Sequence, residues 1–278
     1  MIEAGIARLS DPRFGMVLLS AVIALLMAAH WTPMALPAVM VIGLAVLRPQ
    51  TIVRPVVWWG VAGLWFMALI VAQERMEDHV YLFAVWLVAL ASSLSTKGDD
   101  NFLDQVAWHA RTLIGVTFTA AVAWKIYFGE FISGMALWVF VLLDSRFAPL
   151  ATVVGLSDAE VEQGRLGLTD LLAGAIDTVS PEAASTVMWR IAAVAVFTLV
   201  LEAVIAVAHL LPDSNRLAVL RLPSLVLFAV VTYSVVPVLP FAALLALLAM
   251  TTARWRREAL WAFPVIVVVP VIRLLMIN

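Results

Sequence analysis

The sequence predicts an all-α membrane protein, in which about nine transmembrane helices form a single domain that carries a helical loop at its outer surface. The first indication is composition, because 64% of the 278 residues are hydrophobic and 13% are charged, with a mean hydropathy of +1.05. A water-soluble fold could not bury that much apolar surface. The second is a series of apolar segments of helical length, and the third is the uneven placement of lysine and arginine. The chain has no cysteine, which excludes disulfides and thiolate chemistry.

Each predicted helix is an apolar segment bounded by polar residues. A helix that crosses the hydrocarbon core of a bilayer needs about 20 apolar residues, at a rise of roughly 1.5 Å each. The first such segment follows Arg8 and Arg13, and we interpret it as a span because the numbering begins at an intact Met1. Pro237 and Pro240 either turn the chain between two short helices, as we predict, or kink a single longer one. The predicted spans are 14–30, 33–47, 56–73, 79–95, 107–128, 185–210, 217–236, 239–253 and 259–277.

The distribution of basic residues predicts the orientation. Lysine and arginine are enriched in the loops that remain in the cytoplasm. With the N-terminus inside, nine spans place most basic residues at inner helix ends and put the C-terminus outside, where acidic residues predominate. We therefore predict an integral protein of a bacterial cytoplasmic (inner) membrane. The inner basic residues would be Arg8, Arg13, Arg48, Arg54, Lys97, Arg111, Arg216, Arg221, Arg254, Arg256 and Arg257.

The loop 129–184 is predicted to lie outside. Its apolar run Phe131 to Leu143 is too short to span, which favours a segment that dips into the outer leaflet. Ser157 and Glu160 have the spacing of a capping box at a helix start, and Ser180-Pro181 is typical of the start of the next span. Between them, apolar residues recur at the spacing of an amphipathic surface helix, with Asp170 and Asp177 on another face. These residues are Leu168, Leu171, Leu172, Ala175, Ile176 and Val179.

Lys125 is the residue around which the functional hypothesis is built. It interrupts an otherwise uncharged apolar stretch, and ionisable residues inside membrane helices mark functional sites. Counted from Ala107, Lys125 lies about 27 Å along its helix, near the outer boundary. Its side chain either extends to the outer headgroups or, when desolvated, acts as a base. His79 opens the fourth span at the same predicted depth and would titrate near neutrality.

Glu202 is a second isolated charge, in the sixth span. Its position predicts a place nearer the cytoplasm, in a different leaflet from Lys125, where it is either a proton-relay group or a protonated carboxyl bonded to a neighbouring helix. The four histidines have no spaced ligand partner of the HExxH kind, so no metal is predicted. The net charge of −2 and the lack of a basic stripe give no indication of nucleic-acid binding.

Several motifs resemble those of one family. The stretch Asp78-His79-Val-Tyr81-Leu-Phe83 is followed by Ala-Arg111-Thr-Leu-Ile-Gly-Val and Ala-Val-Ala-Trp-Lys125-Ile, then by Phe131-Ile-Ser-Gly134-Met-Ala-Leu. Together with Thr198-Leu-Val-Leu-Glu202 to Arg216, they are similar to the HTTM membrane domain of vitamin K-dependent gamma-carboxylases and their bacterial relatives. The resemblance covers roughly residues 75–250 and defines an HTTM-like core.

The resemblance implies a site and a chemistry. Lys125 matches the family's lysine that deprotonates a vitamin K-like hydroquinone, and His79 matches a histidine of the neighbouring helix. Trp124, Tyr127, Phe128 and Tyr81 would then contact the quinol ring. The chain departs from the family at Ala123-Trp124, where relatives usually carry a glycine, and at Phe131, where they carry tryptophan; it also lacks a histidine in the seventh span, near Thr232 and Tyr233.

The sequence supports two functional hypotheses. The first is an outer-leaflet pocket for a quinol or lipid, with Lys125 as base in quinol-linked oxygen or carboxylation chemistry. The second is a non-catalytic accessory membrane subunit, whose acidic outer loop docks a partner protein or a larger membrane complex. In both, the surrounding membrane lipids are direct partners of the apolar surface.

Overall fold

The computed structural model describes residues 11–28, 34–72, 78–173, 185–254 and 261–277, and within them every regular element is a helix. The prediction of an all-α protein is therefore confirmed for these residues. Two short 3-10 turns, Ser145–Phe147 and Arg216–Leu220, connect helices. In chain order the helices are α1 Pro12–Ala28, α2 Ala35–Leu47, α3 Pro49–Ile52, α4 Pro55–Ala72, α5 Asp78–Leu94, α6 Asp99–Phe128, α7 Met135–Leu143, α8 Ala148–Val153, α9 Asp158–Leu172, α10 Ser185–Leu210, α11 Arg221–Val235, α12 Leu239–Thr252 and α13 Ala262–Ile277.

Three helical stretches are long and apolar enough to cross a membrane. They are Asp99–Phe128, Met188–Leu210 and Arg216–Val235, and they become four if the bent pair of α7 with Ser145–Val153 is a single span. The other apolar helices of the described segments are shorter, with at most 18 residues. These lengths and compositions indicate a membrane protein with three or four candidate spans.

The proline-containing break at 236–238 separates two helices. Helix α11 ends at Val235, Val236 is extended, and α12 begins at Leu239 with Pro240 in its first turn. Proline is tolerated there because the first amides of a helix have no partner within it. The prediction of two short helices is confirmed, and the alternative of one kinked helix is excluded.

Helices α6 and α10 form an antiparallel pair at the centre of the fold. Near one end Gly115 faces Leu210, so closely that a Cβ at Gly115 would lie 2.7 Å from the leucine Cγ. Beyond the other end of α6, the backbone of Gly134 meets Ala192. Glycine lets the backbones approach at both points, as small residues do between packed membrane helices.

The buried side chains form two hydrophobic cores. The first unites α1 to α6 with α12, with α13 and with parts of α10 and α11, and Trp58, Trp65 and Trp86 are its largest fully buried members. The second is smaller and joins α7, α8 and the segment 154–156 to Ile191 and Ala195 of α10. We call this second core with α7 to α9 the cap.

Helices α7 to α9 of the cap lie within the predicted outer loop, residues 129–184. The capping box is confirmed, because the Glu160 carboxylate accepts a hydrogen bond from Ser157 N at 2.7 Å and Glu160 N donates to Ser157 Oγ at 3.3 Å. Helix α7 and the helical stretch 145–153 meet at an angle of 108°. A pair bent this sharply is a broken span or a re-entrant loop, so the dip predicted for 131–143 stays a prediction.

The predicted amphipathic helix overlaps the last part of α9, at Leu168, Leu171 and Leu172. At Gly164 this helix approaches Leu142 and Trp138 of α7 closely, and Leu168 is half-buried while Asp170 is exposed. The helix ends at Leu172. Ala175, Ile176 and Val179, together with Asp177 and the Ser180-Pro181 start signal, lie outside the described residues.

Candidate functional site

Lys125 of α6 and Glu202 of α10 form an ion pair, with Lys125 Nζ donating a hydrogen bond to Glu202 Oε1. The glutamate side chain is 6% exposed and the lysine side chain 20%. Charged groups so far from water persist only when paired, because desolvation of an isolated charge costs several kcal/mol. Each of the two predicted isolated charges is therefore the other's partner.

The prediction that Lys125 and Glu202 lie in different leaflets is wrong. From the point where Gly115 faces Leu210, Lys125 lies about 15 Å along α6 and Glu202 about 12 Å along α10. A count from Ala107 places Lys125 too far from the level of Leu210, because α6 extends past the end of α10 to Asp99.

The direction of side chains on helices accounts for the remaining difference in level between Lys125 and Glu202. On every helix the Cα–Cβ bond leans toward the N-terminus. Because α6 and α10 are antiparallel, the long side chains of Lys125 and Glu202 lean toward one another.

The ion pair lies at the junction between the two cores. Its neighbours Leu201 and Ile205 belong to the first core, whereas Ala195, two turns earlier on α10, belongs to the second. Phe131 packs on the second core and receives Lys125 Nζ over its ring, 4.5 Å from the centroid. A cation over an aromatic face is attracted by the ring quadrupole, typically by 0.5–2 kcal/mol. Lys125 thus holds α6, α10 and the start of the cap together.

Part of the pair's hydrogen-bonding capacity is not used. Glu202 Oε2 is buried and has no hydrogen-bond partner among the described residues. A buried polar atom without a partner is costly, and its presence calls for a proton, a water molecule or a ligand. Lys125 carries three N–H donors, and one of them is directed at Glu202 Oε1.

The aromatic residues predicted to bind a ring ligand are exposed on the surface of the protein. Trp124 is 67% and Tyr127 82% exposed, and Phe128 and Tyr81 are exposed as well. Phe128 contacts both Trp124 and Tyr127, with ring centroids 4.3 and 5.0 Å away. The three residues Trp124, Tyr127 and Phe128, which we call the aromatic patch, therefore form an open face beside Lys125.

His79 belongs to a different group of contacts. Its ring stacks on Phe241 at 6.0 Å between centroids, and Phe241 contacts Tyr233. Tyr233 is 1% exposed and its hydroxyl finds no partner within the described part of the chain. The structure brings Lys125 and Glu202 together, and a shared pocket for Lys125 and His79 stays a prediction.

The residue that the sequence analysis did not assign to the site is Glu202. The signal that would have placed it there is a second ion pair between the same helices. Arg111 forms an ion pair with Asp213 at 2.6 Å. In an antiparallel pair a step up one helix corresponds to a step down the other, so residues that face one another have numbers with nearly the same sum. That rule matches Lys125 to the vicinity of Glu202.

Chemically, the site combines a cation, a carboxylate with one oxygen unpaired among the described residues, and the exposed aromatic patch. Such an arrangement can bind a weakly acidic hydroxyl and move its proton.

Comparisons of this chain with protein-family models, with curated proteins and with solved structures gave no match.

Proposed function

We propose that the protein is an HTTM-like membrane protein that binds an amphiphilic quinol or related phenol beside the aromatic patch and exchanges a proton with it through the Lys125–Glu202 pair. The observation that carries the proposal is the buried pair itself. Ionisable residues at membrane depth are rare and costly, and they usually mark substrate or proton pathways.

The position of the pair supports a ligand that enters from the lipid phase. An apolar ring that carries a hydroxyl requires an apolar surface and a small number of polar groups. The aromatic patch supplies the apolar surface, with Tyr127 82% exposed. Lys125, half-buried next to it, is the polar group that such a ligand would meet first.

The ion pair changes the role expected for Lys125. A protonated lysine cannot accept a proton unless it releases one. In our proposal Lys125 passes a proton to the carboxylate of Glu202 while it takes one from the ligand's hydroxyl group, so that its own charge is unchanged. The negative charge that develops on the ligand then lies beside an ammonium group, which stabilises it.

The residues of the site suit a quinol as ligand. A bound quinol would supply the redox chemistry that no side chain of this site provides. Lys125 and Glu202 would control its protonation, and the aromatic patch would orient its ring. The resemblance to the HTTM domain, with Lys125 at the position of the family's base, supports the same ligand class.

The proposal includes a membrane topology. The nine apolar helices would form a bundle in a bacterial cytoplasmic membrane, with the N-terminus inside and the C-terminus outside. Arg111, Arg221 and Arg254 would then face the cytoplasm, and the cap and the ion pair would lie toward the outer side. The excess of lysine and arginine at one end supports this orientation.

The experiment is a binding titration of the purified full chain with a short-tailed menaquinol analogue. We expect Lys125→Met and Glu202→Gln each to weaken binding at least about tenfold, which corresponds to roughly 1.4 kcal/mol. Lys97→Met and Glu130→Gln are matched controls, because both residues are exposed. Equal affinity of all four variants and the wild type would remove the proposal.

A second candidate function rests on α9. Its exposed surface carries Asp158 and Asp170, while Glu160 is occupied by the capping box and Glu162 pairs with Arg165. An accessory subunit would use this acidic face to dock a basic partner protein. Copurification of a stoichiometric partner, lost when Asp158 and Asp170 are changed to Lys and retained in Lys125→Met, would favour this function over quinol binding.

A further inference from the structure

A cavity of about 190 Å³ opens at the end of the fold opposite the cap. It lies between the end of α10, the start of α11 and the end of α12. Its walls combine the polar residues His209, Arg221 and Thr252 with apolar ones such as Val219 and Leu222. One water molecule needs roughly 10–15 Å³ of such cavity volume, so the cavity has room for a group of several heavy atoms.

His209 gives the cavity a buried hydrogen-bond acceptor. The side chain is 1% exposed, and its Nδ1 lies 2.8 Å from the carbonyl oxygen of Ile205. Since a carbonyl only accepts, Nδ1 carries the proton, and Nε2 of the neutral ring is left as an acceptor. This Nε2 is buried without a partner among the described residues. A ligand hydroxyl that displaces the side chains covering this nitrogen would satisfy it.

Arg221 gives the cavity donors and positive charge. It donates through Nε to Ala208 O at 2.8 Å and through Nη2 to Leu211 O at 2.6 Å, which caps the free carbonyls at the end of α10. It also pairs with Asp213 through Nη1. A guanidinium has five N–H donors, so two remain after these three bonds.

The region around the cavity carries further positive charge besides that of Arg221. Asp213 is shared between Arg221 and Arg111, so the three groups together retain one positive charge. Arg216 is exposed on the adjoining 3-10 turn. An anionic oxygen near the remaining Arg221 donors is therefore favoured.

We propose that this cavity binds a phosphate ester that also carries a free hydroxyl, with the phosphoglycerol headgroup of a membrane lipid as its source. Arg221 donates to the phosphate oxygens and His209 Nε2 accepts from the hydroxyl. The apolar side chains Val219 and Leu222 at the cavity face the start of the acyl chains. The proposal does not depend on Lys125 or Glu202, so it stands or falls separately from quinol binding.

The test is native mass spectrometry of the full chain in detergent, titrated with dioleoyl phosphatidylglycerol and, separately, with dioleoyl phosphatidylcholine. We expect at least about tenfold tighter binding of the phosphoglycerol lipid, because choline offers no hydroxyl to His209 and its positive charge is unfavourable beside Arg221; the histidine variants isolate the part that is due to the hydroxyl. His209→Leu should weaken phosphatidylglycerol binding about five- to tenfold, the usual effect of one lost hydrogen bond. His209→Gln, which keeps an acceptor, should recover most of the affinity.

A second variant protects the test against misfolding of the histidine variants. Val219 lines the cavity but is 74% exposed, so Val219→Trp should close the entrance and weaken binding at least about tenfold without disturbing the core. Val153→Trp is its control, at a position 75% exposed in the cap.

The outcomes separate the ligand sources. Equal binding of the two lipids, or unchanged binding by Val219→Trp, would overturn the site. Binding of sn-glycerol 3-phosphate as tight as that of the lipid would overturn the membrane lipid as its source. Tight binding of the lipid alone supports the proposal as stated.

Discussion

At the scale of single residues, the behaviour of Lys125 and Glu202 follows from the cost of leaving a charge unpaired. Removal of one partner from a buried ion pair is strongly destabilising, whereas replacement of both by apolar groups is often neutral. Glu202 is the more deeply buried partner, at 6% exposed against 20% for Lys125, so its charge is the costlier one to leave unpaired. The loss should therefore be larger when the lysine is removed than when the glutamate is.

We predict that Lys125→Met lowers the free energy of unfolding by about 2 to 4 kcal/mol and that Glu202→Leu lowers it by less. The double variant should be more stable than the sum of the two losses implies, because neither charge is then left alone. Unfolding in detergent, followed by circular dichroism, measures all three changes. Strict additivity would show that the two residues do not interact.

Asp213 provides a pH-dependent prediction outside the candidate spans. The hydrogen bond from Arg221 and the charge of Arg111 hold the pKa of Asp213 below its ordinary value of 3.8, against a smaller opposing effect of burial. A lowered pKa in the folded state means that the ion pairs stabilise the fold above pH 3.8, and that this contribution is lost as the pH falls through the folded-state pKa.

The corresponding measurement compares the unfolding temperature of the wild type and Asp213→Asn between about pH 6 and pH 3. We expect the variant to be less stable at the higher pH and the difference to shrink toward the acidic end. A constant difference at every pH would mean that the carboxylate charge does not contribute to stability.

At the scale of elements, two glycines show how closely the helices approach. Gly134 and Gly129 both have positive φ, at 82° and 68°. A Cβ at Gly134 would lie 2.8 Å from the backbone nitrogen of Ala192, whereas a Cβ at Gly129 would meet nothing within 4 Å. The two positions share backbone strain, but only Gly134 is at a close contact.

We predict that Gly134→Ala lowers the free energy of unfolding by about 2 to 4 kcal/mol, from the left-handed backbone and the overpacking together. Gly129→Ala is its matched control and should lose only about 1 to 2 kcal/mol, from the backbone alone. Equal losses in the two variants would show that α10 does not constrain the start of the cap.

The elements themselves were largely predictable from the sequence. Apolar runs of helical length, the capping box at Ser157 and the prolines at 237 and 240 are local signals, and local chemistry determines helix ends. The pairing of Lys125 with Glu202 is a property of two helices that lie far apart in the chain. It depends on their relative offset, which the Gly115–Leu210 contact sets and which no local pattern contains.

At the scale of the whole molecule, the arrangement in the membrane can be tested directly because the chain contains no cysteine. Single cysteines at Val219 and at Val153 would both be exposed, one beside the cavity and one in the cap. We predict that a membrane-impermeant maleimide labels Val219→Cys only from the cytoplasmic side and Val153→Cys only from the outer side. Labelling of both positions from one side would contradict the proposed topology.

The proposed quinol function depends on proton transfer at the buried pair, and infrared difference spectroscopy of Glu202 tests this transfer most directly. Addition of the menaquinol analogue to the wild type should produce a band of a protonated carboxyl group. That band should be absent in Glu202→Gln and in Lys125→Met, and present in Glu130→Gln. A spectrum in which the ligand binds and the Glu202 carboxylate stays unchanged would contradict the account.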